Sequence, residues 1–101
     1  MSKKLHIEDD QGRAHVTGAL NVENPQELLV GEIKSERKGV GIGTRLLRAL
    51  ESLGSSRGAS RAKVVLGEFD DTDVDGLRRF YEKNGYRLSD GDEMTVGEKD
   101  L

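Results

Sequence analysis

A chain of 101 residues has room for one small domain with a thin core. With hydrophobic residues at 34% and no Trp, a homodimer fits this composition, and a net charge of −3 argues against a nucleic-acid partner. The absence of Cys excludes disulfides, a thiolate metal site and a Cys nucleophile.

After Met1-Ser2-Lys3-Lys4 the chain enters Leu5-His6-Ile7-Glu8 rather than an apolar stretch. Neither a signal peptide nor a membrane span is expected, and the protein reads as cytoplasmic with no membrane partner. Leu5–Glu8 and Ala14–Val22 predict short strands around a turn at Asp9–Gly12, with His6 and His15 as isolated surface residues. Asn24-Pro25 breaks the chain, and Glu27–Ser35 alternates like a strand. Ile42, Leu46, Ala49, Leu50 and Leu53 then recur at helical spacing, and Gly54 and Gly58 predict the end of that helix. Ala62–Phe69 is β-rich. Thr72-Asp73-Val74-Asp75 has the spacing of a capping box, and Val74, Leu77, Phe80 and Tyr81 supply the apolar stripe of the helix it starts. Asn84-Gly85 stops that helix. Tyr86–Ser89 and Met94–Glu98 predict a closing hairpin around Asp90-Gly91, with the chain from Gly91 onward fraying at its end.

The candidate site lies between the strand at Glu27–Ser35 and the helix after it, at Lys38-Gly39-Val40-Gly41-Ile42-Gly43-Thr44. A glycine turn that opens a helix gathers backbone N–H groups at the positive end of the helix dipole, which suits phosphate. A Walker A loop needs Lys directly after its last glycine, and Thr44 stands there instead. A dinucleotide fingerprint needs a third glycine at the sixth position, which is Thr44 or Leu46 here. An acyl-CoA loop, or a bare flexible turn, satisfies the pattern.

Two runs decide between these readings. Arg37-Lys38-Gly39-Val40-Gly41-Ile42-Gly43-Thr44-Arg45-Leu46-Leu47 resembles the pyrophosphate loop and following helix of the GNAT superfamily of acetyl-CoA-dependent N-acetyltransferases. Arg79-Phe80-Tyr81-Glu82-Lys83-Asn84-Gly85-Tyr86 resembles that family's second signature, in the expected order. The resemblance runs from Glu27 to Ser89. It implies one α/β (α+β) domain over residues 1–101, with a mixed, mostly antiparallel sheet, two main helices and a central strand pair splayed apart.

The resemblance also implies transfer of an acetyl group from acetyl-CoA to a primary amine, directly and without an acyl-enzyme. The strand before the loop would hold the pantetheine arm through its main chain near Ile33. Amides of Gly39, Val40, Gly41, Ile42, Gly43 and Thr44 would hold the pyrophosphate, with the Thr44 hydroxyl as a further donor. Lys38 stands where Arg or Gln is usual, so a cation is kept without the planar fork. Tyr81 falls where many members place the acid that protonates the departing thiolate. Glu27 falls where several carry the base, on the face of Leu29, Gly31 and Ile33, since every second residue of a strand points the same way; Glu32 ranks second. The amide-contacting Asn of the family is replaced by Val74, with Asp73 the nearest substitute.

Asp71-Thr72-Asp73-Val74-Asp75-Gly76, closed by Glu82, also satisfies the spacing of an EF-hand calcium loop. A strand precedes it where an entering helix is needed, and Arg78 takes a usually apolar position. The other alternative to an enzyme is a non-catalytic acyl-CoA-binding or interaction module. No helical period precedes Glu27, so the pair of N-terminal helices usual in the family has no counterpart here. This resembles the minimal GNAT proteins, among them short anti-CRISPR acetyltransferases that modify protein lysines. An open acceptor side suits a protein lysine or an N-terminus better than an enclosed small amine.

Overall fold

The computed structural model describes residues 3–9, 12, 14–21, 23–24, 26–35, 41–67, 74–92 and 94–101. Along the chain run β1 (Lys3–Glu8), β2 (Ala14–Leu20), β3 (Glu27–Ser35), α1 (Ile42–Ser56), β4 (Arg61–Gly67), α2 (Val74–Lys83), β5 (Arg87–Asp90) and β6 (Met94–Asp100). The strands form one six-stranded sheet in the order β1-β2-β3-β4-β6-β5. Every neighbouring pair is antiparallel except β3 and β4, which are parallel and joined through α1. This is the mixed, mostly antiparallel sheet with two helices that the sequence predicts.

Alternation decides which face is covered. In β2 every second residue is buried, so Ala14, Val16, Gly18 and Leu20 share one face. Leu28, Val30, Ala62, Val64 and Leu66 line the same face and meet Leu46, Leu47 and Leu50 of α1 and Tyr81 of α2 in one core. Right-handed crossovers that advance in one direction place both helices on that side. Among the described residues no helix covers the other face, where Leu29 (36%), Val65 (50%) and Met94 (49%) are left exposed.

Three expectations give way to the structure. The first helix does not end at Gly54 but runs to Ser56. Gly54 is small because α1 lies tight on the sheet: a Cβ there would stand 3.0 Å from Leu28 Cδ2. The end comes at Arg57 and Gly58, whose N–H groups bond the Gly54 and Ser55 carbonyls at 3.0 Å. The chain beyond Gly91 is not a frayed end. Met94–Asp100 is an inner strand, paired along β4 from Gly67 to Arg61 and along β5.

The third correction concerns strand register. Gly18 pairs with Val30 and Val16 with Ile33, so two steps along β2 match three along β3. Gly31 and Glu32 both oppose Thr17 in a β-bulge, which inverts the alternation beyond it. Glu27 and Leu29 therefore lie on the helix-free face, while Ile33 rejoins Leu28 and Val30 toward α1. Glu27 and Ile33 do not share a face. Phe69, Thr72 and Asp73 lie outside the described residues, so the capping box is seen only from Val74 onward.

Candidate functional site

β3 and β4 pair from Glu27↔Arg61 to Val30↔Val64 and then part. Beyond that point β3 stays with β2 through Ser35, and β4 stays with β6 through Gly67. A wedge opens between Gly31–Ser35 and Val65–Gly67, which is the predicted splay. Each wall of a parted pair turns a row of backbone donors and acceptors toward the gap, and such groups call for a partner.

The bulge selects which groups face that gap. Both main-chain polar groups of a strand residue point to the same neighbour, alternately left and right along the strand. The Glu27 carbonyl accepts from Asn21 N–H at 3.0 Å, on the β2 side, so Leu28 and Val30 direct theirs toward β4. With one residue inserted at Gly31–Glu32, the next residue facing β4 is Ile33, where β4 has already parted. Without the bulge it would be Glu32.

The gap runs toward the start of α1. Gly41 precedes the helix with φ +78°, a conformation an L side chain rarely adopts, and its carbonyl accepts the first helical bond from Arg45 N–H at 3.1 Å. Among the described residues no side chain caps this end and no acidic residue lies in the first turn, so they leave the positive end of the dipole uncompensated. Lys38, Gly39 and Val40 lie outside the described residues. Ile42, Gly43 and Thr44 form the first helical turn. A Cβ at Gly43 would stand 3.4 Å from Phe80 Cε1 and 4.0 Å from Ile33 Cγ2, so α1, α2 and β3 converge at this glycine. Asn84, predicted only as a helix stop, donates to the Phe80 carbonyl at 2.8 Å and reaches Thr44 Oγ1 at 3.5 Å. A Thr44 hydroxyl that accepts from Asn84 keeps its own proton to donate.

Tyr81 is 2% exposed and lies edge-on to both Phe80 and Tyr86, with ring centroids 5.2 Å apart in each pair. Burial pushes its phenol well above the usual range, so it stays protonated at neutral pH. Its hydroxyl makes no hydrogen bond among the described residues. No buried side-chain nitrogen or oxygen is left without a partner there, so this hydroxyl retains accessible surface. Tyr86 is fixed differently. It donates to Glu51 Oε2 at 2.7 Å, and Lys99 Nζ donates to Glu51 Oε1 at 3.0 Å, which ties α1 to β6 beside the tyrosine pair.

Glu27 and Glu32, the residues expected to serve the acceptor, lie on the helix-free face. Glu27 is half-buried, three residues on the closed side of the split, and its Oε1 accepts from Asn21 Nδ2 at 3.2 Å. Glu32 lies in the bulge, with its side chain between Lys34 (3.3 Å) and His15 (3.6 Å). The Lys34 hydrogen bond, the largest cause, together with the Lys34 charge and His15, holds the Glu32 carboxyl below its ordinary value against the opposing effect of desolvation. His6 and His15 are not isolated: their rings stack at 5.6 Å, and His6 also meets Glu8 at 2.8 Å. Nothing in residue spacing signals this cluster, because it forms across two strands.

The calcium reading meets a geometric obstacle. Val74–Lys83 is one continuous helix. Asp75 and Glu82 are seven residues apart on it, about 10.5 Å along the axis, and do not converge on one ion. Asp71 and Asp73 lie outside the described residues, and among those described no group of acidic and His side chains could hold a metal. Arg78 turns instead to the β5–β6 hairpin, donating to Asp90 Oδ1 at 2.5 Å and Thr95 Oγ1 at 3.0 Å. No described helix is long and apolar enough to cross a membrane.

No protein-family model matches the sequence, and no curated protein matches it by sequence. Solved structures do match. An acetyltransferase assigned to the GNAT family from Desulfovibrio desulfuricans aligns with a TM-score of 0.80 and 16% identity, over 97% of this chain and 69% of its own. Aminoglycoside 6′-N-acetyltransferase complexed with coenzyme A aligns at 0.78 and 18% identity, over 97% of this chain and 73% of its own. An anti-CRISPR protein aligns at 0.72 and 16% identity, over 93% of this chain and 97% of its own. The split sheet, the glycine turn into α1 and these alignments together show that the chain has the fold of the GNAT N-acetyltransferases.

Proposed function

We propose that this protein transfers an acetyl group from acetyl-CoA to a primary amine, directly between two bound substrates. The observation that carries the reading is the β3–β4 split, with Ile33 main-chain groups turned into it and an uncapped helix N-terminus at its open end. Pantetheine carries amides that match a free strand edge, and its pyrophosphate matches a helix N-terminus. The match with an acetyltransferase bound to coenzyme A supports the same ligand. Amides of Gly39 to Thr44 hold the pyrophosphate, with Lys38 as an adjacent cation.

In the transfer, the amine nitrogen attacks the thioester carbonyl carbon, the carbon–sulfur bond breaks and the sulfur leaves as a thiolate. A phenol that keeps its proton at neutral pH is suited to donate to that sulfur as charge develops, which is the role assigned to Tyr81. Glu27, or water beside it, takes the proton that the amine loses. The acceptor arrives from the helix-free face, the side of Leu29 and Val65, because the core fills the other. An unwalled face suits a lysine or N-terminus on a protein surface.

One observation favours a binding module that does not turn over: Glu27 is already engaged by Asn21 and lies on the closed side of the split. Calorimetric titration with acetyl-CoA, followed by mass spectrometry of a peptide and amine panel, separates the two. Tyr81→Phe should lose about a hundredfold in kcat and hold its coenzyme A affinity within threefold. A chain that binds coenzyme A but acetylates nothing in the panel, wild type and variant alike, is the module.

A further inference from the structure

We infer that Thr17 is a positioning residue for the acyl-donor site, acting through the bulge in β3; this rests on the acyl-CoA reading above. The Glu32 N–H donates to Thr17 Oγ1 at 2.9 Å. The second main-chain donor of the bulge is thus held by a side chain on the neighbouring strand. Gly31 completes the arrangement. A Cβ there would stand 2.7 Å from Thr17 Oγ1 and 3.2 Å from the Thr17 carbonyl oxygen, so the hydroxyl reaches Glu32 only because residue 31 has no side chain.

The consequence lies one residue further on. The two-against-three register at Val16–Gly18 turns the Ile33 main chain toward the gap beside β4. A slip back to regular pairing would present Glu32 there instead and rotate Ile33 away from α1. Thr17 selects between the two registers, because its hydroxyl is satisfied by the Glu32 N–H only in the bulged one. It touches no substrate. Its effect is on the affinity of the strand edge for the pantetheine amides.

Thr17→Val keeps the shape and the strand preference of the β-branched side chain and removes the hydroxyl, with the acceptor that Glu32 uses; Thr17→Ser keeps it. Two readouts are needed: amide exchange at Glu32 and Ile33 by NMR in the ligand-free chain, and titration with coenzyme A. Thr17→Val should speed Glu32 exchange and weaken coenzyme A about three- to tenfold, the size of one lost hydrogen bond, with Thr17→Ser restoring both. Equal Glu32 exchange in all three chains overturns the hold of Thr17 on the bulge. Faster exchange in Thr17→Val with unchanged coenzyme A affinity overturns its link to the ligand. A wild-type chain that takes up no coenzyme A overturns the acyl-CoA reading itself, a result distinct from either.

Discussion

Glu51→Gln probes what holds the tyrosine pair against the sheet. Glu51 is 8% exposed and accepts from Tyr86 at 2.7 Å and Lys99 at 3.0 Å. Glutamine keeps the shape and one acceptor oxygen, so the Tyr86 hydroxyl stays bonded, but the charge facing Lys99 is lost. A hydrogen bond to a charged group contributes about 1.5–3 kcal/mol. The Lys99 side chain is 25% exposed and can turn partly to water, which argues for the lower half of that range, about 2 kcal/mol. For a domain of this size such a loss lowers Tm by about 8–16 °C. The chain has no Trp, so the unfolding signal is far-ultraviolet circular dichroism in a urea series, with calorimetry for Tm. Lys99→Met and the double variant close the cycle, and the two single losses should exceed the double by about 1 kcal/mol. A Glu51→Gln variant within 0.5 kcal/mol of the parent, or strictly additive losses, refutes the reasoning.

Gly43→Val should crowd Phe80, whose Cε1 lies 3.4 Å from where a Cβ would stand, and weaken coenzyme A by an order of magnitude or more, with an overpacking cost of about 1–3 kcal/mol in urea unfolding; tight binding by the variant contradicts the convergence of α1, α2 and β3 there. The Arg78 hydrogen bond, then that of Thr95, hold the Asp90 carboxyl below its ordinary value. Because the folded value lies under the unfolded one, the contribution of the pair is present above the ordinary carboxylate range and fades as pH falls through the folded value. Carbon-detected NMR titration should place the Asp90 midpoint below that of a free aspartate, with Arg78→Ala returning it; equal midpoints show that the pair does not persist in solution.

Motifs whose chemistry is local were legible in the sequence. Gly41-Ile42-Gly43 and Phe80-Tyr81 announce a turn, a helix start and an aromatic stripe through residue type alone, and the structure sets Phe80 where a Cβ at Gly43 would meet it. What depends on strand register was not legible. Glu27, Leu29 and Ile33 fit perfect alternation, and one extra residue at Gly31–Glu32 inverts it without changing any spacing. Gly54 reads as a stop because glycine is a poor helix former, but close approach to Leu28 outweighs that preference. His6 and His15 look isolated because their stacking is a cross-strand pair between β1 and β2. Gly91 onward looks frayed because its polar alternation is that of a half-exposed strand, and the partner that orders it, β4, lies far back in the chain.

That last pairing sets an order of assembly. β3 releases β4 after Val64, so among the described residues Val65, Leu66 and Gly67 have strand partners only on the β6 side. β6 is synthesised after every other strand of the sheet. One wall of the split therefore stays unpaired until that segment has emerged, and the loop closed by pairing Arg61 with Asp100 is among the longest in the fold. Distant pairings form slowly. A nascent chain would carry its glycine turn and first helix for some time before it owned a cleft.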